Sequence, residues 1–448
     1  MKAQAASLVE ALLNRFRKDG TFGNFTEVVG GMDERFTFKD FRRMYRSVPR
    51  LRKDLVLGLL WNMMKSKGVK PSGQCRRHTP GGKYTFFHRS FCDLVVWEAV
   101  LGAVRGFGLE LTSELRTAIA GSVEMALGNG REVRFDGTAL TVFSYYPSRD
   151  HLVSPEHPSY KHFMSWDAGV PDNDSTCIVL GSLLRLLRDL DMPLEVLKRP
   201  AGVMKAHLGL LKAHVHRQGT YGQGYLSYES GVTDADHGVL TWIFDEHNEL
   251  DPTSNINILN FLFLLGGAGL PELDADIAWL CGGILSFLRN HARAGTLFHP
   301  RLQQYYPFPS TLFFWHRFQR NLDAIGKDRV ARFDPDGILP ELGASIRKEA
   351  IRVFCNGTVR PNPADAALAS PYLTREGIGG AEGGSYWKNP EALRHFERNQ
   401  YEIFHLLYPV QVICITQCIP HAACLFSLTE LAEIVKSTLG SRSKLPEP

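Results

Sequence analysis

The sequence predicts an all-α fold, a single (α/α)6 barrel of six inner and six outer helices spanning residues 1–448. Three observations predict it. Half-polar helical stretches alternate with mostly apolar ones, a small glycine pattern recurs in phase with them, and strand-like alternation is scarce.

The half-polar stretches are SLVEALLNRF, SELRTAIAGSVEMAL, LEVLKRPAGVMKAHLGLLKAHV, DIAWLCGGILSFLRNHA and ELGASIRKEAIRVF. Charges lie on one side, with apolar residues at three- and four-residue spacing. Their partners are SFCDLVVWEAVLGAV, DSTCIVLGSLLRLL, TSNINILNFLFLLG, STLFFWHRFQRNL, ADAALASPYL and PVQVICITQCIPHAACLF. These are apolar on most sides, and in all but the last the first turn carries Ser, Thr, Asp or Asn, as helix entry favours. The recurring pattern is Gly followed by Ser or Thr, at Gly20, Gly137, Gly219, Gly295, Gly357 and Gly384. The glycine is expected at the turn out of an outer helix, where positive φ is needed. Inner-helix N-termini would then ring one mouth of a central cavity.

Composition narrows the class. A chain 44% hydrophobic and 22% charged is globular with a sizeable core. The net charge of +4 is too small to argue for nucleic acid. No apolar leader opens the chain and no run reaches membrane-spanning length, so the expected location is cytoplasmic. Basic residues cluster in FRRMYRSVPRLRK (Arg42, Arg43, Arg46, Arg50, Arg52, Lys53), just before LVLGLLWNMM. The pair suits peripheral docking on an anionic membrane, or equally a solvated helix flanking a buried one.

Eight scattered cysteines suggest reduced thiols. Cys414, Cys418, His421 and Cys424 would share a face of one continuous helix. Pro420 interrupts that run and the spacing fits no zinc module, so buried thiols are the expectation.

The chemistry concentrates in VPDNDSTC, residues 170–177, ahead of the apolar IVLGSLLRLL. Asp, Ser and Thr are preferred N-caps, and capping accounts for one of them. It needs neither the second carboxylate nor the preceding proline. If the two carboxyls meet in a closed site they share a proton and one stays neutral, whereas the helix N-terminus works the other way and favours the ionised form. Ser175 and Thr176 serve equally as caps or as donors to the carboxylate left behind.

Trp166 followed by VPDNDSTCIV resembles the W…PDxDDTAxV segment of squalene–hopene and related class II terpene cyclases, in which the middle aspartate of DxDD protonates an alkene or epoxide. Pro171, Asp172, Asp174, Thr176 and Val179 match, and Asp174 falls on the protonating aspartate. Ser175 departs from the last Asp of DxDD. ELDPTSNINILNFLFLLG, with Asp251, is similar to the family's DPTSxDVTxxVL segment. The glycine repeats resemble degenerate QxxxGxW motifs. The family histidine that bonds the acid would lie near Asn260, so that contact is altered here. The chain has one barrel's worth of helices where squalene-type cyclases have two, and most resembles single-domain bacterial meroterpenoid cyclases.

The resemblance implies an isomerase acting on a small-molecule isoprenoid or prenylated aromatic, with no cofactor and no metal. Asp174 would be the acid and Asp172 its neighbour. A carbocation needs a dry, aromatic cavity, because water quenches it and ring faces stabilise it. Candidate lining residues are Trp166, Tyr305, Tyr306, Phe308 and Phe314, with Ser175, Asp251 and Asn260 among the substrate-facing polar groups. Phe313 and Trp315 belong to the same dense run, 305–315, and share the lining expectation, whereas Tyr145, Tyr146, Trp242, Phe261, Phe263, Tyr386 and Trp387 are further aromatics for which core packing is the plainer use. His237, His247 and Glu249 are candidate terminating bases. FDEHNELD lacks the DDxxD needed for ionisation-type chemistry.

Two other classes fit the same barrel. An inverting glycosidase would pair Asp172 or Asp174 with Asp251. A non-catalytic barrel would only bind a hydrophobic ligand or a partner. Asp174-Ser-Thr-Cys177 has the wrong spacing for a prenyltransferase zinc site.

Overall fold

The structure is a computed structural model. It describes residues 1–16, 25–30, 85–86, 90–143, 171–191, 200–216, 237–243, 250–298, 308–355, 401–404, 411–416 and 422–432. These are mainly helical. In chain order they form α1 (Lys2–Arg15), β1 (Phe25–Gly30), β2 (Thr85–Phe86), α2 (Ser90–Phe107) and α3 (Ser113–Gly128). The hairpin β3 (Arg131–Phe135) and β4 (Thr138–Val142) precedes α4 (Asn173–Asp189), α5 (Pro200–Ala213) and α6 (Pro252–Gly267). Then come α7 (Asp274–Arg293), α8 (Phe308–Ile325), α9 (Lys327–Phe333), α10 (Ile338–Cys355), β5 (Tyr401–Phe404), β6 (Gln411–Thr416) and α11 (422–432).

The apolar stretches become the buried helices. Residues 93–101 of α2, 173–187 of α4, 252–266 of α6 and 311–318 of α8 are buried without interruption. A helix apolar on every side can be stable only with neighbours all round. The half-polar α1, α3 and α7 bury one face each, as their periodicity predicts.

The buried helices run parallel, because their contacts advance in step along both members of each pair. Between α4 and α6, Asn257 bonds Asp174 and, further along, Asn260 and Phe261 lie against Gly181. Between α6 and α8, Thr253 meets Thr311 at 2.7 Å, Asn260 meets Asn321 at 2.9 Å, and Gly267 meets Ile325. Arg105 of α2 reaches Asp189 of α4, while Glu98 and Ser182 share Arg317. Helix α11 touches α8 through Phe313–Phe426 and Arg320–Glu430, and α2 through Thr429 against Gly106. Outside them, α1 lies antiparallel to α2: Lys2 donates to the Gly108 carbonyl and Phe16 meets Trp97 edge to face at 5.2 Å. The starts of α4 and α6 therefore share one end of the molecule.

Two expected elements differ. PVQVICITQCIPHAACLF is not one helix. Its first part is β6, paired antiparallel with β1 and β5 in a sheet ordered β2-β1-β6-β5, and helix resumes at 422. Val410, Val412, Ile413, Ile415 and Thr416 are β-branched and suit a strand, and Pro420 cannot continue a helix interior. Cys414 is thus on a strand and Cys424 on a helix, so no single helix face carries both; Cys418 and His421 lie outside the described residues. Among the described residues no group of His, Cys, Asp and Glu has metal-site geometry. Cys424 is buried, which pushes its thiol well up from its ordinary value.

The second difference is Gly137. It closes no outer helix but forms, with Asp136, the hairpin turn of β3 and β4, at φ of 76° and 47°. An Asp-Gly pair between alternating segments is the sequence of a type I′ turn. Gly295 does follow the half-polar helix α7 at positive φ. Gly20, Gly219, Gly357, Gly384, the segment ADAALASPYL and the basic cluster at 42–53 lie outside the described residues. Among the described residues no helix is long and apolar enough to cross a membrane.

Candidate functional site

The site is the shared end of α4 and α6. Asp172 is extended (φ −132°, ψ 153°) and caps α4, accepting the Ser175 N–H at 2.5 Å. Asp251 caps α6 in the same way, accepting from Thr253 at 2.8 Å and Ser254 at 3.0 Å, with Pro252 filling the first-turn position that needs no donor. The cap chemistry predicted for VPDNDSTC therefore belongs to Asp172. Ser175 takes part through its backbone.

The two helix starts are pinned by irregular backbone. The Asn173 N–H donates to the Thr241 carbonyl at 2.7 Å, its side-chain amide donates to the Leu240 carbonyl, and the Thr176 hydroxyl sits 3.0 Å from the Phe143 N–H that donates to it. Asn255 of α6 exchanges two bonds with Val239, at 2.8 and 3.0 Å. One short segment, residues 237–243, thus fixes both starts. Trp242 is half-buried there and bridges Asp172 through its backbone.

Asp174, in the first turn of α4, is 4% exposed, and Asn257 Nδ2 donates to its Oδ1 at 2.9 Å. Asp172 is 3% exposed and Asp251 fully buried. Three carboxyls thus stand buried around two neighbouring helix starts. Burial pushes the Cys177 thiol well up, and the charges of Asp174 and Asp172 push it further. Four buried oxygens at this end have no hydrogen-bond partner: Asn173 Oδ1, Thr241 Oγ1, Ser254 Oγ and Asn257 Oδ1. Buried polar atoms are almost always paired, so such a cluster leaves capacity for a bound group or water.

Asn260, the position expected to face the acid, does not contact Asp174 in any hydrogen bond found. It lies one turn further along α6 and accepts from Asn321 at 2.9 Å; with its amide turned about, its oxygen would meet Arg317 at 3.2 Å. Asn257 fills the role near Asp174. Its signal in the sequence is an amide in a helix buried on all sides, one of three with Asn255 and Asn260, each of which must find a buried partner. Asn260 belongs to a second polar layer. Arg317 donates to Glu98 through Nε at 3.0 Å and Nη2 at 2.7 Å, and also to Ser182 at 2.9 Å; Asn321 adds a bond to Glu98 at 3.2 Å. Burial raises the Glu98 carboxyl, and the Arg317 charge and hydrogen bonds more than reverse this, holding it below the usual value.

The aromatic candidates divide. Phe263 of α6 packs edge to face on Phe318 of α8 and Phe333 of α9 and so joins helices, while Trp315 meets Phe318 within α8. Phe261 is fully buried in the core. Phe314 is 5% exposed and meets Phe313 at 5.3 Å. Phe308 opens α8. Trp166, Tyr145, Tyr146, Tyr305, Tyr306, Tyr386, Trp387, His247 and Glu249 lie outside the described residues. His237 is exposed, with its backbone close to Gly283. No family model matches the chain, and no curated protein matches it.

Proposed function

We propose that the chain is a protonation-initiated, class II terpene or meroterpenoid cyclase, its parallel buried helices closing into an (α/α)6 barrel, with Asp174 as the acid. The observation that carries the reading is the division of labour between two aspartates. Asp172 does the capping, while Asp174 is buried beside it and held by a neutral amide from the next buried helix. Burial favours the neutral acid that must deliver a proton, and the positive helix N-terminus stabilises the carboxylate once the proton has gone. The parallel course of α2, α4, α6, α8 and α11 supports the barrel, since it gathers helix starts at one end. The match to the PDxDDTAxV segment names the reaction.

In this mechanism Asp174 transfers its proton to a terminal alkene or epoxide of a polyprenyl chain. The tertiary cation that forms is attacked by the next double bond, and a base or water ends the sequence. Asn257 holds the acid's Oδ1, so the acid's proton belongs on its other carboxyl oxygen. The unpartnered oxygens of Asn173, Thr241, Ser254 and Asn257 provide polar contacts at the same end for a substrate head group. Asp251 is committed to capping, which counts against a paired-carboxylate glycosidase.

The test is incubation with geranyl to geranylgeranyl quinols, phenols and diphosphates, reading a retention shift without change in mass. Asp174→Asn should abolish conversion with an unchanged circular dichroism spectrum, and Asp172→Asn should reduce it. Near wild-type turnover by Asp174→Asn would overturn the assignment of the acid. Glycan hydrolysis without any prenyl conversion would overturn the cyclase.

A further inference from the structure

The opposite end of α4 carries a second cluster, about 20 Å from Asp174 along the helix. Three arginines converge there on one carboxylate. Arg105 Nη1 meets Asp189 Oδ1 at 2.5 Å, Arg185 Nε meets Oδ2 at 2.8 Å, and Arg188 Nε lies 3.7 Å from Oδ1. The Asp189 side chain is completely buried and that of Arg185 is 8% exposed, whereas Arg188 and Arg105 open progressively to solvent at 36% and 51%. The cluster therefore runs from the buried Asp189 and Arg185 out to the partly exposed Arg188 and Arg105.

Helix C-termini attract cations, and part of the cluster follows from that. Arg105 Nη2 donates to the Asp189 carbonyl at 3.0 Å and Arg188 Nη1 to the Ala324 carbonyl at 3.4 Å. These carbonyls and the one carboxylate leave two guanidinium nitrogens unserved. Arg185 Nη1 and Arg188 Nη2 are buried without any acceptor. A buried charged donor without an acceptor is costly, so a cluster built this way is incomplete as it stands. Its charges agree: burial lowers the Arg188 guanidinium from its ordinary value, Arg185 and Arg105 lower it further, and Asp189 only partly restores it.

The geometry points to a binding site for a phosphate-type dianion, held by Arg185 Nη1 and Arg188 Nη2 with Arg105 at the rim. Among the described residues the ion pairs set three guanidinium groups against the one Asp189 carboxylate, leaving two positive charges in excess, which a phosphate or phosphomonoester dianion balances and a carboxylate does not. Planar guanidinium forks match several oxygens of one tetrahedral group, and each bond is charge-assisted. The same chemistry is offered by free phosphate and by the head group of a phosphatidic acid surface. The site is independent of the cyclase reading, since it shares no residue with the Asp174 end.

The test uses the full chain in two arms. In the first, the melting midpoint is followed against inorganic phosphate at constant ionic strength. A site gives a rise that saturates, where general salting-out does not. In the second, the chain is sedimented with phosphatidylcholine vesicles with and without phosphatidic acid. A saturating rise, or phosphatidic-acid-dependent sedimentation, is expected, the arm that responds naming the source. Arg188→Gln should weaken the response at least about tenfold, the loss of one charge-assisted bond. Arg105→Gln, on a different helix and half exposed, repeats the test should Arg188→Gln fold poorly. Absence of response in both arms, or a response unchanged in both variants, would overturn the site.

Discussion

Two buried polar regions lie within a few turns of each other on the same helices, and they are built differently. The layer of Glu98, Ser182, Asn260, Arg317 and Asn321 crosses α2, α4, α6 and α8 and closes on itself: both Glu98 oxygens accept, and the facing charges balance. The end built from Asp172, Asp174, Asn257 and Asp251 gathers three carboxyls and leaves four oxygens of Asn173, Thr241, Ser254 and Asn257 without partners. A satisfied network fixes how helices meet. One with spare acceptors keeps the means to bind something, and its neighbours must tolerate the cost. The contrast separates a closed polar network from one with unpartnered atoms.

The largest effect should come from breaking the closed layer. Arg317→Met leaves Glu98 as a buried charge with no counterion, at a cost of about 3–5 kcal/mol in unfolding free energy. The double variant Glu98→Leu with Arg317→Met removes both charges and should recover much of that loss. Denaturant titration of the three proteins measures it. A double variant less stable than Arg317→Met alone would mean the layer's worth lies in packing rather than charge.

Acid sharpens the comparison, because two buried groups respond in different windows. His207 of α5 is 2% exposed, its Nε2 has no partner, and burial holds it down to about 4. The unfolded chain takes up this proton below about 6.5 while the folded chain does not. Stability is therefore full above 6.5 and falls as pH drops toward 4, by roughly 3 kcal/mol at the limit. Glu98 is held below its usual 4.5, so its contribution is present above that value and is lost only as pH falls further. In His207→Leu the loss between 6.5 and 4 should shrink while the later loss remains. An unchanged slope would show that His207 does not remain neutral in the fold.

The legible part of the fold is the part governed by local rules. The apolar runs of α2, α4, α6 and α8 show helical length and first-turn chemistry, and each is a buried helix. Asp172 and Asp251 are legible for the same reason, since a cap is a contact within four residues. What escapes is set by pairing across the chain. Residues 411–416 enter a strand because β1 and β5 stand ready to pair, and a short β-branched run has no helical or extended preference strong enough to decide alone. The Asp-Gly turn at 136–137 is local and readable, but the repeat of Gly-Thr pairs pulls it toward a helix end. Asn257 faces Asp174, and Asn260 faces Asn321 and Arg317, only because of the register between α4, α6 and α8. Glu98 and Arg317 each look like one charge in an apolar run, and their meeting depends on the same register.

The smallest effect on stability should be at Asn257, and there the comparison is most exposed to failure. Its Nδ2 serves Asp174 while its Oδ1 has no partner, so replacement by Leu gives up one hydrogen bond and removes one unsatisfied oxygen. The net change in unfolding free energy should stay within about 1 kcal/mol, unlike the loss in Arg317→Met. On the proposed reading turnover should still fall, because Asp174 loses the Asn257 amide that holds its carboxyl. The ionised form of Asp174 also loses a donor, so the protonated form gains and the high-pH limb of activity moves upward. Asn257→Gln, which keeps an amide but lengthens the side chain, should restore part of the turnover and return the limb toward its place. If Asn257→Leu is strongly destabilising with an unshifted limb, Asn257 belongs with the closed layer and the division between the two regions fails.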